Sequence, residues 1–196
     1  PVILERLARA DDRIRVVTQP NRGHAGALTA ALAHAGGSYL AVLDCDDEAL
    51  PGRLRAQVAA LEASPELGAV GGAVILWSEQ RGDFFTTTPP VDPPELRRVL
   101  ETTTGCPVLH SAMTMRRSVV EELGGYRDAL SLALDYDLWL RMAERYDIAN
   151  LASPVVRYRV HMSQTTGTRT EVVAVENAAA RKAARVRAAG LPDPVP

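Results

Sequence analysis

Residues 39–47 read YLAVLDCDD, an apolar run that ends on Asp44, Asp46 and Asp47. Such a run restricts the fold. Its apolar residues suit a strand buried on both faces, the setting found in parallel sheets covered by helices. Along an extended chain the side chains alternate, which puts Asp44 and Asp46 on one side and Cys45 on the other. Carboxylates held that close repel, and each favours its protonated form unless a cation or a donor lies between them. The alternative is an Asp-rich turn in which Asp47 caps the following helix.

The flanking sequence supplies a rhythm. Val2 to Ala10 carries apolar residues at helical spacing, and Arg13 to Thr18 (RIRVVT) predicts a short strand. Gly23 and Gly26 open an Ala-rich helix that Gly36 and Gly37 close. After the acids, a helix is expected from about Pro51, then a buried strand from Gly68 to Trp77. Strand, helix, strand, helix, strand is the alternation of a parallel α/β sheet, where ligands gather at the carboxyl ends of strands. The LDCDD acids fall at such an end. Further on, residues 79–93 read as an irregular surface loop and Glu95 to Thr103 as a short helix. Leu109 to Met115 and Val155 to His161 read as strands, and the Ala/Arg-rich stretch beyond Thr168 as an amphipathic helix.

Composition excludes some classes. A hydrophobic fraction of 46% and a charged fraction of 23% over 196 residues suit a globular protein. A formal net charge of -2 provides no global field for nucleic acid or anionic lipid. No apolar run reaches the ~20 residues that span a bilayer. Cys45 and Cys106 form neither a CxxC site nor a disulfide framework, which fits the cytoplasm, with the inner face of the membrane as an alternative location. GxxxxGK phosphate loops are absent. The chain opens inside a helical pattern without Met, and its Pro-rich GLPDPVP terminus reads as linker; both ends are expected to be cut.

Four segments then occur in one order: NRGHAGALTAALAHAGGSYLAVLDCDD, LHSAMTMRR, GGYRDALSLALDYDLWLRMAE and VVRYRVHMSQT. Together they resemble the family-2 glycosyltransferases of the GT-A fold. The resemblance implies an α/β architecture with a GT-A (Rossmann-like) mixed sheet flanked by helices over residues 1–167, followed by a helix and linker over 168–196. It implies a metal-dependent, inverting transfer of a sugar from a nucleotide-diphosphate donor to a saccharide, lipid or other hydroxyl acceptor. Mg²⁺ or Mn²⁺ would neutralise the leaving phosphate through carboxylate oxygens.

Residue by residue, Asp46 matches the family's metal-binding acid, and Asp44 would contact the ribose or assist the ion. Asp47 is open between the site and a helix cap. Asp135 falls where the family keeps its catalytic base, although an Asp opening a helix also serves as an N-cap; Asp137 reads as a first-turn acid. His161 matches a late His that in some members ligates the metal or touches the diphosphate, with a structural role as the alternative. Asn21 and Gly23 match the donor-side loop; Gly124, Gly125 and Tyr126 match the acceptor-side turn, with His110 nearby. Trp139 reads as core.

This chain departs from the family pattern at Leu134, where many members carry an acid, and at Thr29, where an Asn is usual. The family's opening strand–helix–strand unit is not found before Pro1, so the sheet is expected to lack it. An edge so exposed would invite a partner or self-association. A non-catalytic binding module on the same scaffold is the rival reading, and a phosphatase with Asp44 as nucleophile a more distant one.

Overall fold

The computed structural model describes residues 2–102, 106–164 and 168–196. Helix α1 spans Val2–Ala10 and buries none of its residues. The segment expected as a strand at Arg13 to Thr18 is extended chain outside any sheet. A strand needs a neighbour for its N–H and C=O groups, and no other described segment pairs with it. Ile14, Val16 and Val17 consequently stand 39%, 43% and 41% exposed.

Helix α2 (Gly23–His34) leads into β1 (Tyr39–Ala41), and a two-residue strand, β2 (Glu48–Ala49), follows the acids. Then come α3 (Arg53–Ala63), β3 (Leu67–Ser78), β4 (Gly82–Thr86) and α4 (Pro93–Thr102). A 3-10 turn at His110–Ala112 precedes β5 (Thr114–Arg116) and α5 (Arg117–Glu122). The chain closes with α6 (Leu134–Ala143), β6 (Asp147–Arg159) and α7 (Thr170–Ala188).

The sheet runs β1-β5-β3-β6-β2, with β4 also paired to β3. Among the described residues only β3 and β6 pair in parallel; the other pairings are antiparallel. The sheet is therefore mixed, as the resemblance implies, and not the parallel sheet that the strand–helix rhythm alone suggests. β1 is an edge strand whose residues are half-buried or exposed, which corrects the expectation of burial on both faces. The most buried strand is β3, whose first eight residues are all buried. Residues 79–93 are not wholly irregular: Gly82, at φ +63°, turns the chain into a hairpin through GDFFT.

The largest core cluster lies between the sheet and α4, α5 and α6, around Trp139, Tyr136, Leu138, Met142, Leu100 and Met113. Two glycines let the central strands approach. A Cβ on Gly71 would lie 2.3 Å from Asn150 Oδ1, and one on Gly72 would lie 2.8 Å from Val155 Cγ1. Helix α7 packs on α6. The terminal segment, expected as linker, docks: Arg127 donates to Asp193 Oδ2 at 2.6 Å and to the Val195 carbonyl at 3.0 Å. Asp193 also receives Arg187 at 2.7 Å, so one carboxylate holds guanidinium groups from two places in the fold. The boundary expected at 167 and the helix end expected at Thr103 lie outside the described residues. No described helix is long and apolar enough to cross a membrane.

Candidate active site

The acid turn follows β1 and is tied to the middle of the sheet. Val42 N donates to the Met113 carbonyl at 3.0 Å and Asp44 N to Ser111 Oγ at 3.0 Å. The chain then turns, with Asp47 N donating to the Asp44 carbonyl at 3.1 Å. Because Cys45 and Asp46 sit in a turn and not in extended chain, strict alternation fails: Asp44, Cys45 and Asp46 all border the same cleft. The pairing of β2 with β6 carries Asp46 to the end of β6, where its Oδ2 lies 3.0 Å from His161 Nε2. The other ring nitrogen of His161 lies 2.8 Å from Ser163 Oγ.

Asp47 does not cap α3. That helix begins at Arg53 after Gly52, which holds φ +83°, and no side chain caps it. Instead Asp47 Oδ1 accepts from Arg159 N at 2.9 Å, fastening the turn to β6. Burial pushes the Asp47 carboxyl above the usual aspartate value, against the donors around it.

Beneath the turn, α3 supplies a buried polar strut. Arg53 Nη2 donates to the carbonyls of Val42 at 2.8 Å and Met113 at 3.1 Å, and Arg53 Nε to Gln57 Oε1 at 3.0 Å. Gln57 Nε2 reaches the carbonyls of Val70 at 2.8 Å and Ala112 at 2.7 Å. Thr114 Oγ1 donates to Gln57 Oε1 at 2.7 Å. Carbonyls where β1, β3 and the 3-10 turn meet gain side-chain donors here.

The opposite wall begins at His110. It is buried, and its Nε2 lies 2.9 Å from Tyr126 Oη. Burial pushes the His110 pKa down to about 4, with nearby Asp44 opposing and His24 reinforcing the shift, so the ring is neutral at pH 7. Tyr126 follows Gly124 and Gly125, at φ +78° and +69°, a left-handed pair that only glycine adopts without strain. The turn is held from α6: Arg141 donates to the Leu123 carbonyl at 2.6 Å and the Gly125 carbonyl at 2.7 Å. Asp137 balances it, with Oδ2 2.8 Å from Arg141 Nε and 3.5 Å from Arg127 Nε. Asp137 is fully buried in this charge cluster and does not border the cleft.

Asp135, two residues back on α6 and so on a different face, does border it. Its Oδ1 accepts from Tyr136 N at 2.8 Å, and burial raises its pKa above the ordinary aspartate value. The N-cap position belongs to Ala133, and no side chain of that residue caps the helix. The capping carboxylate comes from elsewhere: Glu176, on α7, accepts from Leu132 N at 2.7 Å, Ala133 N at 2.9 Å and Ser131 N at 3.1 Å.

The cleft so formed has a volume of about 550 Å³. It brings together Asp44, Asp46, His110, Asp135 and His161 from separate parts of the sequence. Asn21 and Gly23 are not in its lining; Asn21 Oδ1 accepts from Gly23 N at 2.9 Å to open α2, just before the lining His24. Gly124, Gly125 and Tyr126 stand behind His110 and not in the lining. Among the lining residues that the sequence reading assigned no site role are His24, Gln164 and Tyr158. All three lie inside the ordered segments that carry the resemblance, His24 in NRGHAGAL and Tyr158 and Gln164 in VVRYRVHMSQT.

The sequence profile of glycosyl transferase family 2 matches residues 1–124. The chain belongs to glycosyl transferase family 2. This family-2 chain is 34% identical over 140 residues to EpsE of Bacillus subtilis (strain 168), across 70% of this chain and 49% of that protein. It is 30% identical over 147 residues to AmsE of Erwinia amylovora, an amylovoran biosynthesis glycosyltransferase, across 74% of this chain and 53% of that one. The chain thus spans about half the length of these relatives. Among solved structures it is similar to the mannosyltransferase PcManGT from Pyrobaculum calidifontis in complex with GDP-Man and Mn2+. The TM-score is 0.60 at 21% identity, covering 95% of this chain and 51% of that one. The architecture is that of the GT-A family members, a mixed α/β sheet with flanking helices. Asp135 and His161 lie beyond the matched residues of the family-2 profile.

Proposed function

We propose that this cleft carries out metal-assisted glycosyl transfer, moving a sugar from a nucleoside-diphosphate donor to an acceptor hydroxyl with inversion. The observation that carries the reading is the facing of two different chemistries across one cavity. On one side Asp46 and His161 present a carboxylate oxygen and an imidazole nitrogen 3.0 Å apart. On the other, Asp135 borders the same space as a carboxylate whose proton affinity burial has raised.

The Asp46–His161 pair fits a divalent ion. Adjacent ligand atoms on an octahedral ion with bonds of about 2.1 Å lie about 3 Å apart. Mn²⁺ or Mg²⁺ bound there would neutralise the charge developing on the departing diphosphate. Asp44 stands beside this pair to contact the ribose or assist the ion, and the Asn21–Gly23 turn lies on the donor side. PcManGT, whose structure holds GDP-Man and Mn2+, supports such a donor and ion.

Asp135 is the base in this reading. It receives the proton from the acceptor hydroxyl as that oxygen attacks the anomeric carbon, and the bond from that carbon to the diphosphate breaks on the opposite face. A base works best with a pKa near the working pH, and an upward shift moves an aspartate in that direction. Gly124, Gly125 and Tyr126 shape the acceptor side through His110.

Titration of Mn²⁺ with a nucleoside diphosphate tests the reading. Binding that Asp46→Asn and His161→Ala both weaken markedly is expected. Unchanged binding in Asp46→Asn removes that residue from the site.

A further inference from the structure

The cleft holds a second set of metal-competent groups, drawn from three separate elements. His24 lies in the first turn of α2, Asp44 in the acid turn and His110 in the 3-10 turn. One ligand atom from each lies within 4.8 Å of the other two. They are graded in depth: His110 is buried, Asp44 half-buried and His24 exposed. The inner ligand is fixed while the outer one is free to adjust.

We propose that His24, Asp44 and His110 form a site for a borderline-soft divalent cation such as Zn²⁺, distinct from the hard-cation pair at Asp46 and His161. Three arguments support it. Two imidazoles and one carboxylate form a donor set that favours Zn²⁺ or Co²⁺ over Mg²⁺, and three protein ligands with an open fourth position are a recurrent zinc arrangement. The His110 ring is already oriented by Tyr126 Oη at 2.9 Å, the outer hydrogen bond that metal-bound histidines characteristically make. In the ligating tautomer Nε2–H donates to Tyr126, and Nδ1 keeps its lone pair for the ion. Finally, ligand atoms around a tetrahedral Zn²⁺ lie about 3.3 Å apart, given bonds of about 2.0–2.1 Å. The three atoms lie within 4.8 Å of one another, and the exposed His24 side chain is free to rotate towards the other two. An ion there would tie the start of α2 to the acid turn and to the 3-10 turn, adding to the Asp44 N–Ser111 Oγ bond that already joins the last two. The proposal shares Asp44 with the transfer reading but does not rest on it, because it requires only that these three side chains share an ion.

Co²⁺ titration of the purified chain, followed by visible absorption, tests this without any activity assay. The expected result is one equivalent of Co²⁺ giving the intense d–d bands of a low-coordinate, histidine-ligated ion, which Zn²⁺ displaces. His24→Ala and Asp44→Asn should abolish those bands, and Tyr126→Phe should weaken affinity by about 10–100-fold. Asp46→Asn and His161→Ala should leave them intact. His24 is exposed, so its substitution leaves the fold standing even if a change at the buried His110 does not. Absence of Co²⁺ and Zn²⁺ binding overturns the proposal. So does binding that survives His24→Ala and disappears in Asp46→Asn, which would assign the ion to the Asp46–His161 pair.

Discussion

Glu176 Oε2 accepts the Leu132 amide at 2.7 Å and the Ala133 amide at 2.9 Å, so a carboxylate on α7 caps the helix that carries Asp135. The first amides of a helix lack partners within it, and a negative charge there also complements the helix dipole. Tertiary structure here supplies what local sequence does not. Asp135 accepts one first-turn amide, that of Tyr136 at 2.8 Å, and still borders the cleft.

Removing this cap should loosen α6 at its start. Glu176→Ala is expected to destabilise the protein by ~1–3 kcal/mol, the scale of a lost charge-assisted capping group. Burial alone would raise the Glu176 pKa, but hydrogen bonds from Ser131, Leu132 and Ala133 outweigh it and hold the carboxyl below its usual 4.5. A carboxyl whose folded pKa is depressed contributes stability above the unfolded value and loses it as pH falls through the folded one. The gap between wild type and Glu176→Ala should therefore be widest above pH 4.5 and shrink on acidification. Denaturant melts at several pH values would reveal it, and a pH-independent gap would refute the charge argument.

Asp135 should behave in the opposite sense. Its pKa is raised by burial, so the folded protein holds this proton more tightly than the unfolded chain does. Stability then falls as pH rises from the unfolded value through the folded one, and at pH 7 the ionised group is a net cost. Asp135→Asn should accordingly raise Tm at pH 7 while lowering transfer by ~100-fold or more, with metal and donor affinity nearly unchanged. Retained transfer would hand the role of base to another group.

Asp137 is not a reserve base. Its carboxylate is buried against Arg141 and Arg127, and Arg141 in turn holds the carbonyls of Leu123 and Gly125. Truncating one partner of a buried ion pair typically costs ~3–5 kcal/mol, because the other charge is left without compensation. Asp137→Ala should thus be lost to misfolding, or melt far below wild type, and lose activity only in proportion to the unfolded fraction. A well-folded Asp137→Ala with specifically abolished transfer would contradict this.

Legibility in the sequence followed the range of the interactions involved. β3 was visible because its burial makes it apolar throughout, and α2, α3 and α6 because glycines, a proline or acids mark their starts. The strand expected at Arg13 to Thr18 was misread because β-forming residues predict an extended chain but not a partner for it. β2 and the first half of β6 were invisible for the converse reason. Residues 147–154 (DIANLASP) look like loop, yet β3 beside them supplies the ladder. At the site, the convergence of Asp46 with His161 follows the ordered motifs of the family. Glu176 could not have been assigned, because an acid on a polar helix face acquires its role only when α7 lies across α6.

Arg53 and Gln57 hold the acid turn through main-chain carbonyls: Val42, Met113, Val70 and Ala112. A backbone carbonyl is present whichever side chain its residue bears. The strut therefore places few demands on the identities of the residues it secures, and nearly all of them on itself. Sequence drift through positions 42, 70, 112 and 113 is tolerable so long as volume is kept, whereas drift at 53 or 57 unfastens several segments together. A scaffold arranged in this way can diversify around its acids over evolutionary time without moving them.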